Sequence, residues 1–157
     1  MHMKNNLVQM QINECMTSRP LTIDPYATLA EAMGIMQKNM IRRLPVMDDG
    51  DLIGIITLND IYQAKPSDVR HSVSRDKIYE ELSKLTVNVA MTDNPLTIYQ
   101  ADTVGHAAEI MLEEKIGGLP VVDANKKLLG IITESDIFRL IASEWREKNN
   151  FKSALGS

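Results

Sequence analysis

Two quartets in this 157-residue chain carry the residue types that could hold a polar ligand: Thr57-Leu58-Asn59-Asp60 and Thr133-Glu134-Ser135-Asp136, each preceded by Gly-Ile-Ile. A threonine three residues ahead of a carboxylate, at the start of a helix, can do two things. It can close a capping box, in which hydroxyl and carboxylate take up free N–H groups of the first turn. It can also present a hook, with the hydroxyl and helix N–H groups suited to an anion and the carboxylate to a pair of hydroxyls. Cap and hook can coexist, because the threonine hydroxyl serves either. Asn59 and Ser135 are polar residues in a first helical turn and need no ligand to explain them.

A second contrast lies upstream. Ile41-Arg42-Arg43 precedes Leu-Pro-Val in the first half, and Ile116-Gly117-Gly118 precedes it in the second. Two guanidinium groups offer bidentate phosphate contacts, whereas two glycines offer only backbone. Gly117-Gly118 reads as a close-approach turn rather than a phosphate loop.

Other chemistries find little support. His2, His71 and His106 have no metal-ligand spacing with Cys15 or with one another, so no metal site is expected. No G-x-S-x-G, P-loop or G-x-G-x-x-G is present, and no nucleophile has a partnered base. The reading is therefore not an enzyme, with no catalytic residues and no catalytic cofactor. A net charge of −4, with one Trp, four Tyr and two Phe, argues against a nucleic-acid platform or an anionic membrane surface. No apolar run approaches the roughly 20 residues of a membrane span, and the N-terminus lacks the h-region and cleavage site of a signal peptide. Cys15 is the only cysteine, which points to a reduced, cytoplasmic setting. The ten methionines read mainly as core filling.

The elements that must position these residues come in a repeat. Placing Met16 on Met91 aligns "MTSRPLTIDPYATLAEAMGIMQKNMIRRLPVMDDGDLIGIITLNDI" with "MTDNPLTIYQADTVGHAAEIMLEEKIGGLPVVDANKKLLGIITESDI", and about half the positions are identical. In each copy a short extended "PLTI" precedes a helix started by Thr28 or Thr103, with Glu31 completing a capping box in the first copy only. Leu29, Ala32, Met33 and Met36, like Val104, Ala107, Ala108 and Met111, fall at the spacing of one buried stripe. "LPVMD" and "LPVVD" then predict strands that turn at "DDGD" or "ANKK" into "LIGIIT" or "LLGIIT", and a closing helix follows. The fold class is α/β (α+β), built from two β-α-β-β-α repeats. The divisions are residues 12–64, a linker with a helix capped by Ser74 over 65–86, residues 87–142, and a polar tail over 143–157 that is expected to fray. Neither copy is large enough to bury its helices and small sheet convincingly alone, so the copies are expected to pack by pseudo-twofold symmetry.

This combination of motifs, in order and twice, resembles a tandem pair of CBS domains, the module named for cystathionine β-synthase. The resemblance runs from Ile12 to about Ala142, with one departure where "TVGHA" replaces "TLAEA". It implies a stand-alone pair with two clefts that hold an adenine nucleotide (AMP, ADP or ATP) or S-adenosylmethionine. Carried over residue by residue, one cleft takes Leu21, Ile41, Arg42 and Arg43 with Thr133, Ser135 and Asp136. The other takes Leu96, Ile116, Gly117 and Gly118 with Thr57, Asn59 and Asp60. The arginines make the first the stronger phosphate site and favour a phosphate over a sulfonium cation. The resemblance further implies a homodimer that signals occupancy to an unidentified regulated protein. The competing readings are a structural or interaction module with empty clefts, and an S-adenosylmethionine-binding module.

Overall fold

The computed structural model describes residues 6–66 and 74–155, and side chains through residue 150. His2 and His71, together with the polar part of the linker, lie outside the described residues. In chain order the elements are β1 (Thr17–Ser18), α1 (Leu29–Asn39), β2 (Arg43–Asp48), β3 (Asp51–Thr57), α2 (Leu58–Ala64), α3 (Arg75–Leu82), β4 (Thr92–Asp93), β5 (Ile98–Tyr99), α4 (Val104–Glu114), β6 (Gly118–Val122), β7 (Leu128–Thr133) and α5 (Glu134–Leu155). Single 3-10 turns precede β1 at Leu7–Gln9 and Ile12–Glu14 and precede β4 at Val87–Val89.

The chain forms two compact units. One is Pro20–Pro95; the other combines the residues up to Arg19 with those from Leu96 onward. This division differs from the contiguous repeats in the sequence, because the first strand of each copy is built into the unit of the other. β1 pairs antiparallel with β7, Thr17 facing Ile131 and Ser18 facing Gly130. β4 pairs antiparallel with β3, Gly54 facing Asp93 and Ile55 facing Thr92. The glycine of each "GIIT" permits the exchange. A Cβ at Gly130 would come 2.7 Å from both the Met16 sulfur and the Thr17 carbonyl, and one at Gly54 would come 2.6 Å from the Met91 sulfur.

In the Pro20–Pro95 unit the sheet order is β2-β3-β4. The β2–β3 turn uses Asp49 and Gly50, both at positive φ (49° and 84°), the pattern that lets a two-residue hairpin follow the strand twist. Leu44 and Val46 of β2, Ile56 of β3, Ile61 of α2 and Leu82 of α3 join Leu29, Ala32 and Met36 of α1 in one core. The stripe of α1 is therefore buried as its spacing predicts, with Met33 packed at the margin. Thr28 accepts from the Glu31 N–H at 3.1 Å while Glu31 accepts from the Thr28 N–H at 2.9 Å, the expected capping box. Ser74 caps α3 through the Lys77 N–H.

In the other unit the sheet order is β1-β7-β6-β5, with β5 parallel to β6. Ile12, Ile98, Ala107, Met111, Leu119, Val121 and Ile132 form its core. Thr103 caps α4 through the His106 N–H with no capping box, as the sequence departure at His106 requires. The Asp123 carboxylate accepts from the Asn125 and Lys127 N–H groups at 2.8 and 2.9 Å, which shapes the β6–β7 turn.

In the segment expected to fray, the described residues are helical. α5 continues from Glu134 to Leu155 and is held on its exposed side by Lys148–Glu144 at 2.7 Å and by Asn149 donating to the Trp145 carbonyl. Polar composition here marks a solvated helix face with i,i+4 pairs rather than an end of structure.

Candidate functional site

The two quartets are built alike. At the end of β3, Thr57 Oγ1 accepts from the Asp60 N–H at 3.1 Å, and Asp60 Oδ2 accepts from the Thr57 N–H at 2.8 Å. At the end of β7, Thr133 Oγ1 accepts from the Asp136 N–H at 3.4 Å, and Asp136 Oδ2 accepts from the Thr133 N–H at 2.9 Å and from its hydroxyl at 3.2 Å. The capping role is thus realised in both copies. In both copies the cap engages Oδ2 of the carboxylate, and Oδ1 takes no part in it. Asn59 and Ser135 are exposed in the first turns.

Each unit places its quartet beside the residues that precede its own Leu-Pro-Val. In one, Arg43 pairs with Thr57 across β2–β3 and the Leu58 N–H donates to the Arg42 carbonyl at 2.8 Å. Ile41 lies against the core, its N–H donating to the Met36 carbonyl at 3.0 Å. In the other, Gly118 pairs with Thr133 and the Glu134 N–H donates to the Gly117 carbonyl at 3.1 Å, while Ile116 repeats the role of Ile41 with Met111. Leu21 and Leu96, at matching positions of the copies, are each about half exposed. Of the residues named from the resemblance, Arg42 and Arg43 belong to Pro20–Pro95, and Thr133, Ser135 and Asp136 belong to the other unit.

The copies differ electrostatically. Among the described residues Asp136 alone is both charged and buried, whereas Asp60 is half-buried. Asp136 Oδ1 accepts from Arg139 Nη1 at 3.0 Å. Arg139 was not singled out from the sequence, although its i,i+3 spacing from Asp136 on a helix was the available signal. The matching position of the first copy is Gln63. Cys15, half-buried in the same unit, has its thiol pushed above the ordinary value by burial first, then by the charges of Asp136 and Glu14. Among the described residues no group of three His, Cys, Asp or Glu side chains is gathered closely enough to hold a metal ion. None of their helices is long and apolar enough to cross a membrane.

Comparison with known proteins gives this geometry a family. The CBS domain model matches residues 12–67 and again 86–143. A CBS domain-containing protein of Dictyostelium discoideum is 37% identical over 131 residues, covering 83% of this chain and 90% of that protein. Several other relatives are longer proteins; the chain spans 23% of the L-aspartate semialdehyde sulfurtransferase of Methanocaldococcus jannaschii, with 31% identity. Among solved structures, the CBS domain pair of protein MJ0100 in complex with 5′-methylthioadenosine and S-adenosyl-L-methionine superimposes with a TM-score of 0.71 at 31% identity, over 86% of this chain and 98% of that one. CBSX2 in complex with AMP, a protein of Arabidopsis thaliana, gives 0.69 at 26% identity over 85% and 96%. With two family matches in tandem, the chain belongs to the CBS domain family, as a CBS domain pair.

Proposed function

We propose that this CBS pair is a regulatory module that binds an adenine nucleotide (AMP, ADP or ATP) and reports occupancy to a partner protein, without chemistry of its own. The observation that carries the reading is the twice-built Thr-x-x-Asp cap, which fixes a carboxylate through one oxygen, Oδ2, where a strand ends and a helix begins. Support comes from AMP in CBSX2 and from adenosyl compounds in the MJ0100 pair. The proposed contacts are the two sets taken from the resemblance: Leu21, Ile41, Arg42 and Arg43 with Thr133, Ser135 and Asp136, and Leu96, Ile116, Gly117 and Gly118 with Thr57, Asn59 and Asp60. Occupancy is transmitted through differential affinity for two arrangements of the protein. Cys15, a free thiol, fits a cytoplasmic setting.

Calorimetric titration of AMP and ATP against wild type, Arg43→Ala and Asp136→Ala tests the assignment. Each loss of a charged hydrogen bond is expected to weaken binding by about 1.5–3 kcal/mol, roughly ten- to a hundredfold. Unchanged affinity in both variants removes the residue assignment. A thermal-shift panel of AMP, ATP, NADH and S-adenosylmethionine that leaves the melting transition unmoved removes the nucleotide reading and favours an interaction module.

The proposed partner chemistry includes a second copy of the chain. Phe138, Ile141 and Trp145 occupy one stripe of α5 and remain 65%, 52% and 66% exposed, a run of large apolar side chains that a protein surface rarely leaves uncovered. Sedimentation should show a dimer for wild type and a monomer for Trp145→Glu, with unchanged circular dichroism. A monomeric wild type sinks the homodimer.

A further inference from the structure

Asp136 does not wait as a bare carboxylate. Its side chain is 6% exposed, and Oδ2 is committed to the Thr133 N–H and hydroxyl. The remaining oxygen, Oδ1, carries Arg139 Nη1 at 3.0 Å, from a side chain that is 68% exposed. An anchored, nearly dry acceptor is therefore covered by a guanidinium that solvent can reach.

The adenosine reading above, on which this step rests, asks the carboxylate to receive ribose hydroxyls. Oδ1 is the oxygen that can do so, and a ribose must share or displace Arg139 there. A neutral nucleoside takes that acceptor and returns nothing to the guanidinium. A nucleotide returns an anion, since a phosphate accepts two parallel N–H bonds from arginine. A sulfonium ligand brings a second positive charge beside the first. From this exchange we infer that Arg139 is the specificity-determining residue of the second copy, passing from Asp136 to the ligand's phosphate and selecting phosphorylated adenosine over neutral or cationic adenosyl compounds. The first copy lacks the device, because its matching residue is the uncharged Gln63.

The test is calorimetric titration of AMP, adenosine and S-adenosylmethionine against the full chain as wild type, Arg139→Gln and Arg139→Lys. Arg139→Gln should weaken AMP about tenfold or more, while adenosine binds as well as before or more tightly. The AMP-over-adenosine preference therefore collapses, and Arg139→Lys restores part of it. Removing the guanidinium takes one partner from the buried Asp136 carboxylate, so the thermal midpoint of each variant is measured and the titrations are run below the lowest midpoint, which separates a selectivity effect from unfolding. If AMP and adenosine both bind Arg139→Gln with the wild-type preference, the inference is overturned and the adenosine reading stands. If none of the three compounds binds wild type, the adenosine reading is overturned and the inference falls with it.

Discussion

Leu119→Ala is expected to destabilise the protein by about 2–5 kcal/mol, the cost of lost transfer energy plus the cavity left in a packed core. Leu119 has no exposed surface and lies on β6 opposite Ile132, among Ile12, Ile98, Ala107, Met111 and Val121. For a chain of this size each kcal/mol lowers the melting midpoint by roughly 2–4 °C, so calorimetry reads the effect directly. Hydrogen exchange reads its reach. Ile12 is in the same core, its N–H donates to the Asp102 carbonyl, the Asn13 N–H donates to the Gln100 carbonyl, and β1 pairs with β7. Protection should therefore fall at Ile12–Ser18, about a hundred positions earlier in sequence, as well as from Ile98 onward. Exchange altered only after Leu96 would contradict the strand exchange. Leu112→Ala, on α4 but 81% exposed, should change stability by no more than about 0.5 kcal/mol and serves as the control.

Much of this architecture is legible in the sequence because it is local. Thr28 with Glu31, Thr103 without a partner carboxylate, and Ser74 are caps whose chemistry is complete within four residues, and each forms as read. The stripes of α1 and α4 and the Asp49-Gly50 turn are local in the same sense. The exchanged first strands are not. Nothing near Met16 names Gly130 as its partner; the information lies in a missing Cβ over a hundred residues away. The methionines divide along the same line: Met36 and Met111 fill cores as their spacing predicts, but Met40 sits at a left-handed helix end and is 93% exposed. The polar tail is a further case: Glu144 with Lys148 at i,i+4 supports a helix that polarity alone does not announce.

The candidate site shows the same limit. The quartets, the arginines and the glycines could be picked out by type and spacing, and the caps they form are as expected. What spacing did not disclose is that Asp136 is buried and Asp60 is not, nor that the second carboxylate already holds a guanidinium. Burial is a property of everything packed around a side chain, and two quartets so similar in sequence can still differ in the work their carboxylates can do. To the sequence difference of Arg42-Arg43 against Gly117-Gly118 the structure thus adds a second, Arg139 paired with Asp136 where the first copy has Gln63.

Gly130→Ala should cost about 1–3 kcal/mol, the range for overfilling a packed region. The added Cβ meets two obstacles at 2.7 Å. The Met16 sulfur ends a flexible side chain that can turn aside, but the Thr17 carbonyl is backbone engaged with β7 and cannot move without parting β1 from its partner strand. Gly54→Ala meets the same pair in milder form, with the Met91 sulfur at 2.6 Å but the Thr92 carbonyl at 3.0 Å, so it should cost less. The order Gly130→Ala above Gly54→Ala tests whether the carbonyl or the sulfur is the harder wall. Met16→Ala added to Gly130→Ala should recover only part of the loss, because the carbonyl remains. Full recovery would assign the clash to the sulfur. Gly34→Ala supplies the contrast: nothing lies within 4 Å of its Cβ and it sits within α1, where alanine is favoured by about 1 kcal/mol, so the same substitution should stabilise. Since β7 ends on Thr133, displacing β1 from Gly130 also disturbs the strand that aims the Asp136 cap, and on the proposed reading nucleotide affinity should fall in Gly130→Ala while Gly34→Ala leaves it unchanged.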